Sequence, residues 1–112
     1  MTRRIATTVR YIVELLTAMD YARLYQLDKE KQLSVELLST AVQEYGGQLT
    51  LPPLPFPRIE IFQQESLPNR QFVDVRLWVD GEESDLTMQC TLFTNEVQNE
   101  RYAFAITDML VM

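Results

Sequence analysis

The sequence predicts an α+β protein of 112 residues, forming one domain in which N-terminal helices pack on one face of a four-stranded antiparallel sheet. Apolar residues recur with a helical period up to residue 45 and alternate with period two after residue 58. The later runs are joined by short links, which favours a meander. We expect helices at about residues 3–19, 20–27 and 34–45 and strands at about residues 58–63, 71–79, 86–94 and 101–107.

The first half of the chain carries the helix signals. Residues 3–19 place five apolar side chains on one helical face: Ile5, Val9, Ile12, Val13 and Leu16. Thr2 is suited to cap this helix, Asp20 to cap the second and Ser34 to cap the third. Gly46 should end the third helix, because glycine readily adopts the left-handed conformation of a C-cap.

Two segments fit neither pattern. Residues 28–32 are all charged or polar and predict a solvated loop, with a binding strip as the alternative. Residues 51–57 contain four prolines, which exclude a helix interior or a central strand. We interpret them as an extended connector between helices and sheet, and a ligand for a proline-recognising domain is the alternative.

Residues 71–94 predict the central hairpin of the sheet. Alternation places one apolar set on a core face, and a slip of one residue would expose that set to water. The expected cross-strand pairs are Val79 with Leu86, Leu77 with Met88, Val75 with Cys90 and Val73 with Leu92.

The opposite face of this hairpin is mixed and supplies the candidate partner-binding residues. They are Phe72, Asp74, Arg76, Trp78 and Phe93. Aromatic side chains around a carboxylate and a guanidinium can form a ligand site on a curved sheet. A solvated ion pair between exposed aromatics is the alternative.

The turn of the hairpin is predicted to be an acidic loop over residues 80–85. Its carboxylates belong to Asp80, Glu82, Glu83 and Asp85. Oxygen ligands can hold a hard cation, but the spacing of a calcium loop is missing. We interpret the loop as a solvated turn that discourages edge pairing, and we expect no metal site.

In the predicted last strand, the alternation of side chains leaves the direction of Asp108 undecided. Ala103 and Ala105 face outward and leave room on the mixed face, whereas Asp108 falls on the inward side. Either a bulge shifts the pattern there or the carboxylate points inward. Residues 109–112 are apolar, so we expect them to finish the strand or to pack elsewhere, with a second subunit as one partner.

Composition excludes several chemistries. The chain has no histidine, one cysteine and three glycines, so histidine catalysis, cysteine-rich metal sites and glycine-rich phosphate loops are ruled out. Cys90 is expected to be an inert core residue. We therefore expect a non-enzymatic protein without a cofactor. The single cysteine and the lack of a signal peptide pattern favour the cytoplasm.

Charge is unevenly distributed along the chain. Residues 1–31 hold six basic and four acidic residues, a balance of +2, whereas residues 32–112 hold four basic and twelve acidic ones, a balance of −8. The excess argues against nucleic acid and membrane partners, because both are anionic. A basic protein partner is compatible with it.

Four stretches resemble a short bacterial domain of unknown function. They are residues 9–21 (VRYIVELLTAMDY), Leu33 with Ser34 at a helix start, residues 77–92 (LWVDGEESDLTMQCTL) and residues 106–112 (ITDMLVM). That resemblance implies no activity. The order of helices and then a meander is also similar in shape to cystatin-like and NTF2-like proteins, which include enzymes, ligand binders and dimerisation modules.

Three functions follow as hypotheses. The first is a small protein-interaction module of immunity-like or regulatory type, with a basic partner. The second is an NTF2-like small-molecule binder or an isomerase- or hydratase-like enzyme that uses Asp74, Arg76 or Asp108 in a sheet cavity. The third is a structural homodimer joined through the mixed face.

Overall fold

A computed structural model describes residues 3–53 and 59–112 and confirms the α+β arrangement. Three helices precede the sheet: α1 Arg3–Thr17, α2 Tyr21–Leu27 and α3 Val35–Tyr45. The sheet has five strands where we predicted four: β1 Leu49–Thr50, β2 Ile59–Phe62, β3 Arg70–Val79, β4 Glu82–Gln98 and β5 Arg101–Val111. The predicted cap at Thr2 and residues 54–57 of the proline connector lie outside the described residues.

The helices cover one face of the sheet, as predicted. All five apolar residues of the predicted α1 stripe are buried, and they belong to the same core as Leu24, Leu38 and the inward side chains of β3 and β4. Ser34 caps α3, since its Oγ accepts from the Leu37 N–H at 3.1 Å. No helix in the described part of the chain is long and apolar enough to cross a membrane.

Strands β2 to β5 form the predicted meander, and β1 is the strand that the prediction missed. β1 and β2 lie end to end along one side of β3, where Leu49 pairs with Val79 and Ile59 pairs with Val75. Two residues are too few to show an alternating pattern, so β1 is defined only by its pairing with β3.

The predicted acidic loop and hairpin register are wrong. Only Asp80 and Gly81 form the turn, both with positive φ (52° and 81°), and β4 begins at Glu82. Up to Arg76 the strands pair two residues away from the expected register, so Val73 faces Cys90 and Val75 faces Met88; beyond an irregularity between Arg76 and Trp78, Val79 faces Glu82. A shift by an even number of residues keeps each side chain on its face, and the predicted apolar set is therefore still the core set.

Two irregularities in the pairing of β4 with β5 decide which side chains share a face. Thr107 is an extra residue on β5, so Asp108 pairs with Gln89 on the face opposite the helices, here called the open face. The bulge alternative for Asp108 is thus confirmed. After it, Met109 packs against the core, and β5 continues to Val111. The second irregularity adds residues 94–96 to β4.

Asp28 corrects the prediction that residues 28–32 form a solvated loop. Its side chain is 3% exposed and accepts three backbone N–H groups. Oδ1 accepts from Glu30 at 3.0 Å and from Lys31 at 2.9 Å, and Oδ2 accepts from Ile106 on β5 at 2.8 Å. A carboxylate tolerates burial when N–H donors replace its water. Asp28 therefore fastens the end of α2 to an edge strand.

The outer edge of β5 is capped by side chains as well as by this segment. The Tyr102 N–H donates to the hydroxyl of Thr8, and the Met109 N–H donates to the carboxylate of Asp108. The Phe104 carbonyl accepts from the Lys29 N–H at 2.9 Å. Edge groups that already have partners cannot recruit another strand, so this edge is protected from strand addition.

Replacing Asp28 with asparagine should lower the free energy of unfolding by about 2–3 kcal/mol, because the amide nitrogen cannot accept and leaves buried N–H groups unpaired. Urea denaturation measures the change. Asp20→Asn is the matched control: Asp20 accepts one N–H at the start of α2, and asparagine caps equally well. Equal unfolding free energies for the two variants would contradict the role given to Asp28.

Candidate functional site

All five predicted partner-binding residues lie on the open face, and four of them are partly exposed there. Phe72, Asp74, Arg76 and Trp78 alternate along β3 on the side away from the helices. Phe93 lies on the same face but is only 5% exposed. The Lys29 ammonium lies 4.5 Å and the Arg70 guanidinium 5.1 Å from its ring centroid. Phe93 is therefore covered and does not contribute to an accessible surface.

Strand β2 adds two residues that sequence reasoning did not assign to this face. Glu60 pairs with Asp74 and Phe62 pairs with Phe72, so both side chains join the open face. Phe62 is 49% exposed and Ile61, on the other face, is 37% exposed. The alternation within residues 59–62 was visible in the sequence, but the pairing partner of this strand was not.

Asp74 is the electrostatically perturbed carboxyl of the open face. Its pKa is raised above the ordinary 3.8 by burial and by repulsion from Glu60, and the nearby Gln89 amide partly offsets the rise. Neighbouring like charges favour the protonated form because two adjacent carboxylates repel each other. Asp74 therefore holds its proton more tightly than an exposed aspartate.

Arg76 does not form the ion pair with Asp74 that one alternative expected. Ion pairs in the described residues join Arg4 to Glu100, Lys29 to Glu96 and Arg70 to Glu30, and none involves Arg76. The indole N–H of Trp78 is buried and has no acceptor in the described part of the chain. A buried polar group without a partner is uncommon in folded proteins.

The described residues of the open face border shallow depressions. One of about 250 Å³ is bordered by Phe62, Phe72, Asp74, Gln89 and Thr107. Another of about 40 Å³ lies between Glu60, Asp74 and Arg76. Small-molecule sites commonly enclose roughly 300–1,000 Å³. Asp74 borders both depressions and is the centre of this surface.

The acidic residues of the predicted loop over residues 80–85 do not form one group, and two of them make separate structural contacts. Asp80 Oδ1 accepts from the Gln48 N–H at 3.0 Å and so ties β1 to the hairpin. Asp85 accepts from the Tyr45 hydroxyl at 2.6 Å and ties α3 to β4. Glu82 and Glu83 lie in β4 itself. Across the described residues, no three acidic, cysteine or histidine side chains converge on a metal position.

Cys90 lies in the core, as expected for an inert thiol. Burial, followed by the nearby carboxylates of Asp74 and Asp28, raises its pKa from 9.0 to about 12. Because the thiolate is the nucleophile, a thiol with so high a pKa is unreactive near neutral pH.

A larger cleft, of about 460 Å³, opens between the helices and the end of the β4–β5 hairpin. Arg23 of α2, Arg101 of β5 and Tyr11 of α1 contribute to its lining. Sequence reasoning missed this cleft because its residues come from three distant segments. The only sequence signal was the positive charge balance of residues 1–31.

Residues 13–112 match the model of a domain of unknown function, DUF7668. The chain belongs to this family. The resemblance to an uncharacterised domain is therefore confirmed for most of the chain. No curated protein matches the chain. No solved structure matches it either.

Asp74→Asn should stabilise the protein near neutral pH. The raised pKa means that the folded state binds the proton more tightly than the unfolded chain, so the free energy of unfolding falls as pH rises above 3.8. Asparagine does not ionise, so the variant does not lose this unfolding free energy as the pH rises. Urea denaturation should show the gain near neutral pH and a smaller gain at about pH 4. A variant that is less stable than the wild type near neutral pH would contradict this sign.

Cys90 should resist a thiol reagent such as iodoacetamide in the folded protein at about pH 8 and react completely in denaturant. Mass spectrometry counts the modified chains. Rapid modification of the folded protein would show that the thiol is accessible and would refute the assignment to a closed core.

Proposed function

We propose that this protein is a small cytoplasmic protein-binding module whose contact surface is the open face together with the outer edge of β2. The observation that carries the proposal is the grouping of Phe62, Phe72 and Trp78 with the Glu60–Asp74 carboxylates on a face that no helix of the described residues covers. Aromatic side chains and arginine are enriched at the centres of protein interfaces. The shallow relief suits a protein partner better than a small molecule.

The edge of β2 supports the same conclusion. No strand in the described part of the chain pairs with its outer side, whereas the edge of β5 is capped. An unpaired edge with exposed apolar side chains is a site where an extended segment of a partner can add a strand.

The partner that fits this surface is basic. Glu60 and Asp74 lie side by side, and residues 32–112 carry a balance of −8. Complementary lysine or arginine residues would relieve the repulsion between the two carboxylates and speed association at low salt. An immunity-like or regulatory protein that holds a basic partner is the version we favour.

A sheet-cavity binder or enzyme of NTF2-like shape is the second candidate. The raised pKa of Asp74 favours it, because perturbed carboxyls in depressions are candidates for acid–base chemistry. Glu60 is the adjacent carboxyl, and Asp108, exposed beside Gln89, would be a third carboxyl on this face. The shallow relief of the surface counts against it.

Affinity capture from the native host tests the interaction proposal. We expect a partner that is retained at low salt, released at high salt and lost with the open-face double variant Glu60→Lys and Phe62→Ser. The matched control is Leu37→Ser with Glu44→Lys, which makes the same exchanges at exposed positions of α3 and should keep the partner. Retention by the open-face variant, or failure to capture any partner, would refute the proposal.

Sedimentation of the same variants tests the homodimer. A wild-type dimer that becomes a monomer with Glu60→Lys and Phe62→Ser would assign the open face to self-association. A wild-type monomer would exclude self-association and would leave a different protein as the partner of the open face.

A further inference from the structure

The cleft beside the hairpin tip combines several side chains that suit an anionic ligand. Its volume of about 460 Å³ is within the range of small-molecule sites. Its lining includes Tyr11, Arg23, Asn95, Gln98, Asn99 and Arg101. These residues come from α1, α2 and the β4–β5 hairpin, so helices and sheet together form the walls.

The charges in the cleft are uncompensated in an otherwise acidic chain of net charge −6. Arg23 and Arg101 take part in none of the ion pairs of the described residues. Glu96, which also lines the cleft, is already paired with the Lys29 ammonium. The cleft therefore carries two free guanidinium charges, and their field attracts anions.

The position of Arg101 leaves its donors free. Its guanidinium lies 3.7 Å from the centroid of the Tyr11 ring, so the ring supports one face of the planar group. The N–H groups around the edge of the guanidinium make no hydrogen bond to the described residues. A guanidinium edge held in this way matches the two oxygens of a carboxylate or a phosphate.

The hairpin beside the cleft is irregular. The three additional residues of β4, 94–96, have no partners on β5, and Asn95 lines the cleft. The turn that follows has Asn99 and Glu100 at positive φ (55° and 63°), a conformation that is unfavourable for glutamate. Bulges and strained turns concentrate beside binding sites, where they redirect side chains.

We propose that this cleft binds a small ligand bearing an oxyanion, either a phosphate or a carboxylate group, through Arg101 and Arg23. Tyr11 orients Arg101, and the amides of Asn95, Gln98 and Asn99 supply further polar contacts. This site is separate from the open face and does not depend on the function proposed for that surface.

Amide NMR titrations with inorganic phosphate, adenosine monophosphate and citrate test the proposal. We expect saturable shifts at Tyr11, Asn95 and Asn99 with at least one probe at up to about 10 mM. Binding of phosphate and the nucleotide without citrate assigns the oxyanion as a phosphate, and binding of citrate alone assigns it as a carboxylate. No saturable shift at these residues with any probe would overturn the proposal.

Variants locate the binding groups. Arg101→Gln and Arg23→Gln should each weaken binding by about tenfold, because each loses charged hydrogen bonds. Arg101→Lys keeps the positive charge but loses the paired N–H donors of the guanidinium, so it should also weaken ligand binding. Arg3→Gln is the matched control, since Arg3 is an exposed arginine of α1 that does not line the cleft, and it should bind as the wild type does. Arg23 is exposed on α2, so its variant remains informative should Arg101→Gln fail to fold. Undiminished binding by Arg23→Gln would overturn the proposal.

Discussion

The buried carboxylate of Asp28 is the interaction on which the arrangement of the helices, the edge of the sheet and the cleft depends. It accepts N–H groups from the turn after α2 and from Ile106 of β5, which fixes the helical layer to the sheet. The adjacent Lys29 then bonds to β5 through its backbone and reaches Glu96 and Phe93 through its side chain. A charge in this position is stable because three N–H donors replace the water that it loses on folding.

The two edges of the sheet differ in how their backbone groups are hydrogen-bonded, and the proposed interaction surface depends on this difference. Backbone groups on the outer edge of β5 form hydrogen bonds with Thr8, Asp28, Lys29 and Asp108. β2 is short, and two of its apolar side chains, Ile61 and Phe62, are exposed. The open apolar edge of β2 and the aromatic side chains beside it are the features on which the proposed binding surface rests.

Electrostatics separates that surface from the cleft. On the open face, Glu60 and Asp74 repel each other, and a cation would relieve the repulsion. In the cleft, Arg23 and Arg101 lack carboxylate partners in the described residues, and an anion would supply one. The two regions therefore favour ligands of opposite charge, and the two proposed sites are distinct in electrostatics as well as in position.

The sequence alone determined the helices, most of the strands and the face to which each hairpin side chain belongs, because periodicity and capping are properties of neighbouring residues. All five predicted open-face residues were assigned to the correct face for this reason, because the register error was an even number of residues; the burial of Phe93 was not foreseen. Only the tertiary structure decided the pairing of β1, the position of Glu60 beside Asp74, the burial of Asp28 and the cleft. Each of these depends on residues that meet from distant positions, such as Asp28 and Ile106, which are 78 residues apart, and local patterns carry no information about such contacts.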